Sequence, residues 1–248
     1  MSALQFAQGY DRWMAKRGPL GAAMRFAMSV PGQVLVNTAV FRLPDELRMV
    51  PTWQVLDIGC GRAGALRVVA ERASLERPPV GLDASARMLE LGRRDIERDA
   101  GPPVMLAQGA ATALPFADGR FDLLLSGHAL KYLSDDDLCA CLSEARRALK
   151  PGGIFVAWEF APTKSRLLDR WNAWVLGHEV SFERLRGYRE LQSLAYECGF
   201  DYVQPAQLRP FLLPPIPRVS LLMGRAPEGW RRTMVGGRSV LEHVGDEG

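Results

Sequence analysis

The sequence predicts an α/β fold: a doubly wound, mostly parallel sheet with helical additions. Two observations carry that reading. Short apolar runs alternate with helix-length stretches from about residue 53 to 160, and the first run passes straight into a glycine-rich turn, "VLDIGCGRAG" at 55–64. Strands alternating with helices of this length imply crossover connections and parallel pairing. The 248-residue chain is 48% hydrophobic and 24% charged, which suits one domain with a sizeable core.

The elements follow in order. Strands are expected at 53–58, 79–83, 104–108, 121–126 and 154–160, short and nearly all apolar, as when both sheet faces are covered. Helices are expected at 63–75, 85–99 and 134–149. Ser134 is placed to cap the last of these, with Asp137 in the capping-box position and Asp135 and Asp136 at its positive end. Lys150-Pro151-Gly152-Gly153 marks its end. A further helix at 188–198 carries Leu191, Leu194 and Ala195 at helical spacing, with Gly199 as a left-handed cap. Two strands near 200–207 and 217–225 flank the proline-rich "RPFLLPPIPR", which points to an antiparallel pair.

We therefore read one domain over 1–248. It comprises an N-terminal helical cap (1–50), a cofactor-binding core (51–160), an inserted helix (161–187), and a C-terminal helix, antiparallel pair and tail (188–248). In the cap, Phe6, Tyr10, Trp13 and Met14 share a face. In the insertion, Leu167, Leu168, Trp171, Trp174 and Val175 form an apolar stripe. Either packs on the core or covers a pocket.

Composition excludes several classes. The net charge of +3 and the merely paired arginines, Arg146-Arg147 and Arg231-Arg232, read as solvated surface and argue against a nucleic-acid binder. Four cysteines without a CxxC pair and three histidines make a metal site unexpected. The thiols fit a reducing, cytoplasmic setting. No run of 18 apolar residues predicts a transmembrane helix, and "MSALQFAQGYDRW" lacks a signal-peptide core. The sequence leaves the oligomeric state open.

Gly59-x-Gly61-x-x-Gly64 has the spacing of a nucleotide loop, in which bare backbone and a helix N-terminus meet a negative group. Asp83 closes the next strand, 22 residues after Gly61, where a carboxylate hydrogen-bonds two ribose hydroxyls. Two cofactors compete. The pyrophosphate of NAD would be repelled by Asp57. S-adenosylmethionine carries an ammonium and a sulfonium, which Asp57 attracts. The rival readings are a nicotinamide-dependent oxidoreductase and a non-catalytic binding protein of the same fold.

"VLDIGCGRAG", "VGLDASARML", "LAQGAATALPFADGRFDLLLSGHALKYL" and "ALKPGGIFVAWEF" together resemble the successive motifs of class I S-adenosylmethionine-dependent methyltransferases, in the branch that methylates small molecules. The resemblance covers roughly 53–160, with weaker likeness through "GYRELQSLAYECGF". It implies a Rossmann-like seven-stranded sheet whose last strand is antiparallel. It also implies that Asp57, Gly59, Cys60 and Gly61 meet the cofactor's amino-acid end, Asp83 its ribose, and Ala84, Met88, Gly109, Ala110 and Ala111 its adenine. Ser126 lies along the same site, and Tyr10 of "GYDRW" resembles a tyrosine that folds over the cofactor. Two departures stand out: Ala110 replaces a frequent aspartate, and Ala63 stands where a third glycine is common.

The ends of the fourth and fifth strands should carry the chemistry. His128 is the candidate general base, Tyr132 a candidate substrate contact, and Glu159 a polar group at the pocket rim, either a base or a recogniser of a cationic substrate. Trp158 should point away from Glu159. His178 and His243 read as exposed, and Cys60 as packed rather than reactive. The expected acceptor is a small apolar or aromatic molecule.

Overall fold

The computed structural model describes residues 38–163, 165–170, 185–206, 218–235 and 238–244, together with 18, 22, 26 and 32. Tyr10, His178 and the apolar stripe beyond residue 170 lie outside the described residues. A 3-10 turn (Thr38–Phe41) and a one-turn helix (Leu43–Glu46) lead into the sheet.

Seven strands form the main sheet: β1 (Val55–Ile58), β2 (Val80–Asp83), β3 (Met105–Gln108), β4 (Phe121–Gly127), β5 (Leu149–Phe160), β6 (Tyr202–Pro205) and β7 (Arg218–Gly224). Their order is β3-β2-β1-β4-β5-β7-β6. The pairs among β1 to β5 are parallel, while β7 runs antiparallel to both β5 and β6. The expected doubly wound sheet with an antiparallel last strand is therefore present. Among the described residues its connections include the helices α1 (Gly64–Arg72), α2 (Ala86–Arg98), α3 (Asp135–Ala148) and α4 (Tyr188–Glu197).

The alternation of side chains along the strands splits the core into two layers. Leu56, Ile58, Leu124, Phe155 and Ala157 pack with Leu138, Cys141, Leu142 and Ala145 of α3 and with Leu191 and Ala195 of α4. Val55, Leu123, Leu125, Val156 and Trp158 pack with Leu66 and Val69 of α1 and with Val40 and Leu43. Trp158 needs Gly127 beside it, because a Cβ there would lie 2.6 Å from the indole.

Local chemistry explains the boundaries. Ser134 Oγ accepts the Asp137 N–H at 3.2 Å, so the anticipated N-cap forms, and its hydroxyl donates to the Asp137 carboxylate at 2.7 Å, a side-chain pair in place of the backbone bond of a capping box. Gly199 takes φ +90° and closes α4. Strand β5 starts at Leu149, five residues earlier than expected. Gly152 (φ +78°) and the register shift between Phe121 and Leu123 absorb the breaker sequence as a bulge within the strand.

One surface expectation is corrected. Arg147 is a clasp rather than a solvated charge. It donates to the carbonyls of Leu114 and Phe116 and to the carboxylates of Glu144 and Asp118, which hold its pKa above the ordinary arginine value. The C-terminal tail contains a two-stranded sheet, β8 (Trp230–Val235) and β9 (Arg238–His243), in which His243 meets the Trp230 ring edge-on at 5.5 Å. Among the described residues, no helix is long and apolar enough to cross a membrane.

Candidate active site

The glycine turn after β1 is built around bare backbone. Gly59 has φ +76°, and a Cβ on it would sit 2.3 Å from that of Ala129, so no side chain fits. Gly61 has φ +55°. The N–H groups of Gly59 and Cys60 both donate to the Leu82 carbonyl, at 2.8 and 3.1 Å. Arg62, next in the chain, donates through Nε at 2.7 Å to Asp95, a buried carboxylate of α2, and locks the turn to that helix. Ala63 then takes the left-handed conformation (φ 59°, ψ 21°) as the residue before α1, and its side chain gives the helix no cap. The departure from glycine at this position keeps the glycine conformation, at a cost of roughly 1 kcal/mol.

Asp83 ends β2 and ties this turn to the next. One of its oxygens accepts the Gly61 N–H at 2.8 Å and the other the Ser85 N–H at 2.8 Å. A carboxylate has about four lone-pair sites, so capacity for ribose hydroxyls remains. The Asp83 carbonyl also receives the Gly109 N–H, at 3.1 Å. Gly109 has no space for a side chain, because a Cβ would lie 2.8 Å from Leu82. Ala84 holds the Gln108 side chain through its carbonyl, and Met88 lies buried beside Gly61. Ala110 and Ala111 follow, half-buried. Asp57, Gly59, Cys60, Gly61, Asp83, Ala84, Met88, Gly109, Ala110 and Ala111 thus gather along the carboxyl ends of β1, β2 and β3.

Asp57 sits in β1 between Gly81 and Leu125, 4% exposed. Burial, and secondarily the charge of Asp83, raise its pKa from 3.8 to about 7. A buried carboxylate whose ionised form is this costly calls for a cation, since a positive partner favours the charged form. Burial first, then the charge of Asp83, holds the Cys60 thiol well above its ordinary value, and Cys60 is buried. Ser126 donates to the Ile58 carbonyl at 3.0 Å and pins β4 to β1, so its hydroxyl is engaged below the site.

The turn after β4 lies directly against the cofactor loop through the Ala129–Gly59 contact. His128 adopts φ +60°, an uncommon conformation for a non-glycine residue and one found at functional sites. Its N–H donates to the Trp158 carbonyl at 2.9 Å, and its ring stacks on Phe160 at 4.3 Å. Desolvation first, then the charges of Lys131 and Arg218, press its pKa well below 6.5. This environment favours the neutral imidazole over the imidazolium.

Glu159 is not at the rim. It is 4% exposed, and its Oε1 accepts the Leu130 N–H at 2.6 Å, fixing the turn from inside. The reason is a partner that the sequence reading missed. Lys131, 5% exposed, donates to the His128 carbonyl, places Nζ 3.9 Å from Glu159 Oε2, and covers the Tyr132 ring at 4.1 Å. Burial lowers its pKa to about 8, against the opposing pull of Glu159. The sequence signal was one lysine inside the otherwise apolar "ALKYL". Arg218, opposite Phe160 in the β5–β7 register, places its guanidinium 5.1 Å over that ring.

Lys131→Met is expected to destabilise the fold by about 3 kcal/mol, because it strands the Glu159 carboxylate in the interior. Adding Glu159→Gln should restore much of that loss. Denaturant unfolding of both singles and the double measures the coupling, and strictly additive losses would refute the pair.

Comparison with known proteins agrees with this geometry. A family profile described as "Methyltransferase domain" matches residues 55–153. An uncharacterised methyltransferase of Synechocystis sp. is 38% identical over 171 residues, covering 64% of this chain and 72% of that one. Demethylmenaquinone methyltransferase of Bacillus velezensis is 36% identical over 106 residues, 43% of this chain, and the match spans less than half of the relative's length (45%). Among solved structures, a Haemonchus contortus phosphoethanolamine N-methyltransferase in complex with S-adenosylhomocysteine shares the fold. Its TM-score is 0.66 at 17% identity, over 92% of this chain and 61% of that one. A glycine turn over a buried carboxylate, an acidic end to β2, the strand order and the Synechocystis relative point the same way: the chain belongs to the class I S-adenosylmethionine-dependent methyltransferases.

Proposed function

We propose that the protein transfers the methyl group of S-adenosylmethionine to a small, apolar or aromatic organic acceptor. The observation that carries the cofactor half of this reading is Asp57: a buried carboxylate beside a bare-backbone turn favours a cationic guest over a pyrophosphate. Asp57 with the backbone of Gly59, Cys60 and Gly61 would hold the amino-acid end, and Asp83 the ribose. Ala84, Met88, Gly109, Ala110 and Ala111 would flank the adenine, with Ser126 supporting the floor. When bound, the cofactor supplies a methyl carbon already activated by its sulfonium.

The protein's own task is then positioning and exclusion of water. The turn from His128 to Tyr132 would form the acceptor side, with the half-buried Tyr132 offering aromatic surface and the buried Phe160 ring backing His128. His128, whose basicity is lowered first by burial and then by Lys131 and Arg218, would shape the acceptor side of this turn rather than act as a strong base. Its low basicity suits an acceptor that arrives ionised or reacts at an atom without a proton. Glu159 and Lys131 hold that turn in place. The name of the Bacillus relative supports a quinone-like ring as the first class to try.

The test is incubation of the purified protein with methyl-labelled S-adenosylmethionine and either hydroquinones, naphthoquinols or a cell extract. Label in an organic-extractable small molecule, with S-adenosylhomocysteine formed in equal amount, is expected. Tight NAD binding without S-adenosylmethionine binding, or label appearing only in macromolecules, would overturn the reading.

A further inference from the structure

Outside the glycine turn, two thiols of α3 and the end of α4 face each other. Cys139 of α3 and Cys198, which caps the C-terminal end of α4, have their sulfurs 2.7 Å apart although 59 residues separate them in sequence. All four cysteines are free thiols. A disulfide bond is ~2.05 Å long, so closure needs a sulfur movement of about 0.7 Å. Cys139 is only partly buried. Cys198 lines an open cleft of about 610 Å³ with Ser143, Arg146, Arg147 and Arg225, wide enough for a small oxidant to enter.

We propose that Cys139 and Cys198 are a modification site, a dithiol that a hydroperoxide converts to a disulfide joining α3 to the end of α4. The chemistry balances in two steps. The Cys139 thiol takes one oxygen from the hydroperoxide, giving a sulfenic acid and the corresponding alcohol or water. The Cys198 sulfur then attacks the sulfenic sulfur, forming the S–S bond and releasing water. The order follows from the environments. Burial, with the Cys139 thiol beside it, pushes the Cys198 thiol up to about 12, making it the poorer first nucleophile, whereas Cys139 reaches solvent. Cys141 is the competitor. It is fully buried and likewise raised to about 12, first by burial, which disfavours its own oxidation.

The test uses the full, reduced chain. Hydrogen peroxide treatment, thiol blocking after denaturation and non-reducing peptide mapping should yield a Cys139–Cys198 cross-link. Free thiols should fall from four to two, and dithiothreitol should bring all four back. The Cys141→Ala variant should cross-link equally, and Cys139→Ser should not. Both thiols remaining open to alkylation, irreversible sulfinic acids in place of the bond, or a cross-link through Cys141 would overturn the proposal. None of these outcomes depends on the methyl acceptor.

Discussion

Asp83→Ala is expected to weaken S-adenosylmethionine binding about a hundredfold or more. In the proposed site the carboxylate would accept two charge-assisted hydrogen bonds from the ribose, each worth roughly 1.5–3 kcal/mol. It also braces the cofactor turn, since its oxygens accept the N–H groups of Gly61 and Ser85. The variant therefore loses both the contact and the preformed shape that makes binding cheap. Asp83→Asn separates the two, because the amide keeps one acceptor oxygen while losing the charge. Calorimetric titration of both variants is the measurement. A dissociation constant within twofold of the parent in Asp83→Ala would refute the ribose role.

The second large effect is a conflict between stability and binding at Asp57. Its pKa in the folded chain, about 7, lies above the ordinary 3.8, so the folded state holds this proton more tightly than the unfolded state does. Stability from this group is fully present below pH 3.8 and is lost as the pH rises to 7. Across that interval the slope is about 1.4 kcal/mol per pH unit. Between pH 5.5 and 7.5 this group alone withdraws about 2 kcal/mol. Asp57→Asn, neutral at every pH, should remove that component while weakening the hold on a cationic ligand. Paired denaturant unfolding at the two pH values checks the first part. Titration at pH 6 in buffers of different ionisation enthalpy checks the second, because a cation binding the parent should expel a proton and the variant should not. Equal pH slopes in parent and variant would show that Asp57 does not titrate near neutrality.

The sheet was readable from sequence because its strands are buried on both faces and so carry continuous apolar runs, each followed by a turn or cap of specific chemistry. The glycine turn and the Asp83 strand end were readable for a related reason. Bare backbone can come only from glycines at fixed places, and a carboxylate at a strand end is conspicuous. The inside of the turn after β4 was not, since Lys131 and Glu159 lie 28 residues apart and nothing local announces that they meet inside the protein. Glu159 reads as a rim residue until Lys131 is known to be buried with it. Arg62 and Asp95 are the same kind of long-range pair. The β8–β9 ribbon did leave a local signal: Gly236-Gly237 between two alternating runs is a two-residue hairpin pattern, overlooked beneath the general glycine content of the tail.

The left-handed Ala63 leaves α1 with no capping side chain at the end that faces the cofactor turn. The first N–H groups of a helix need a partner, and the carboxylate of an amino-acid ligand is a suitable one. Ligand and helix would then complete each other, the ligand acting as a detachable first residue of α1. Amide exchange at residues 64–66, whose N–H groups precede the first intrahelical bond from Arg67 to the Ala63 carbonyl, is expected to slow when S-adenosylhomocysteine, which keeps that carboxylate, is added. It should change little with 5′-methylthioadenosine, which lacks it, and equal slowing by both would sink the idea. On this view the helix start is a part of the fold that the protein finishes only when it is loaded.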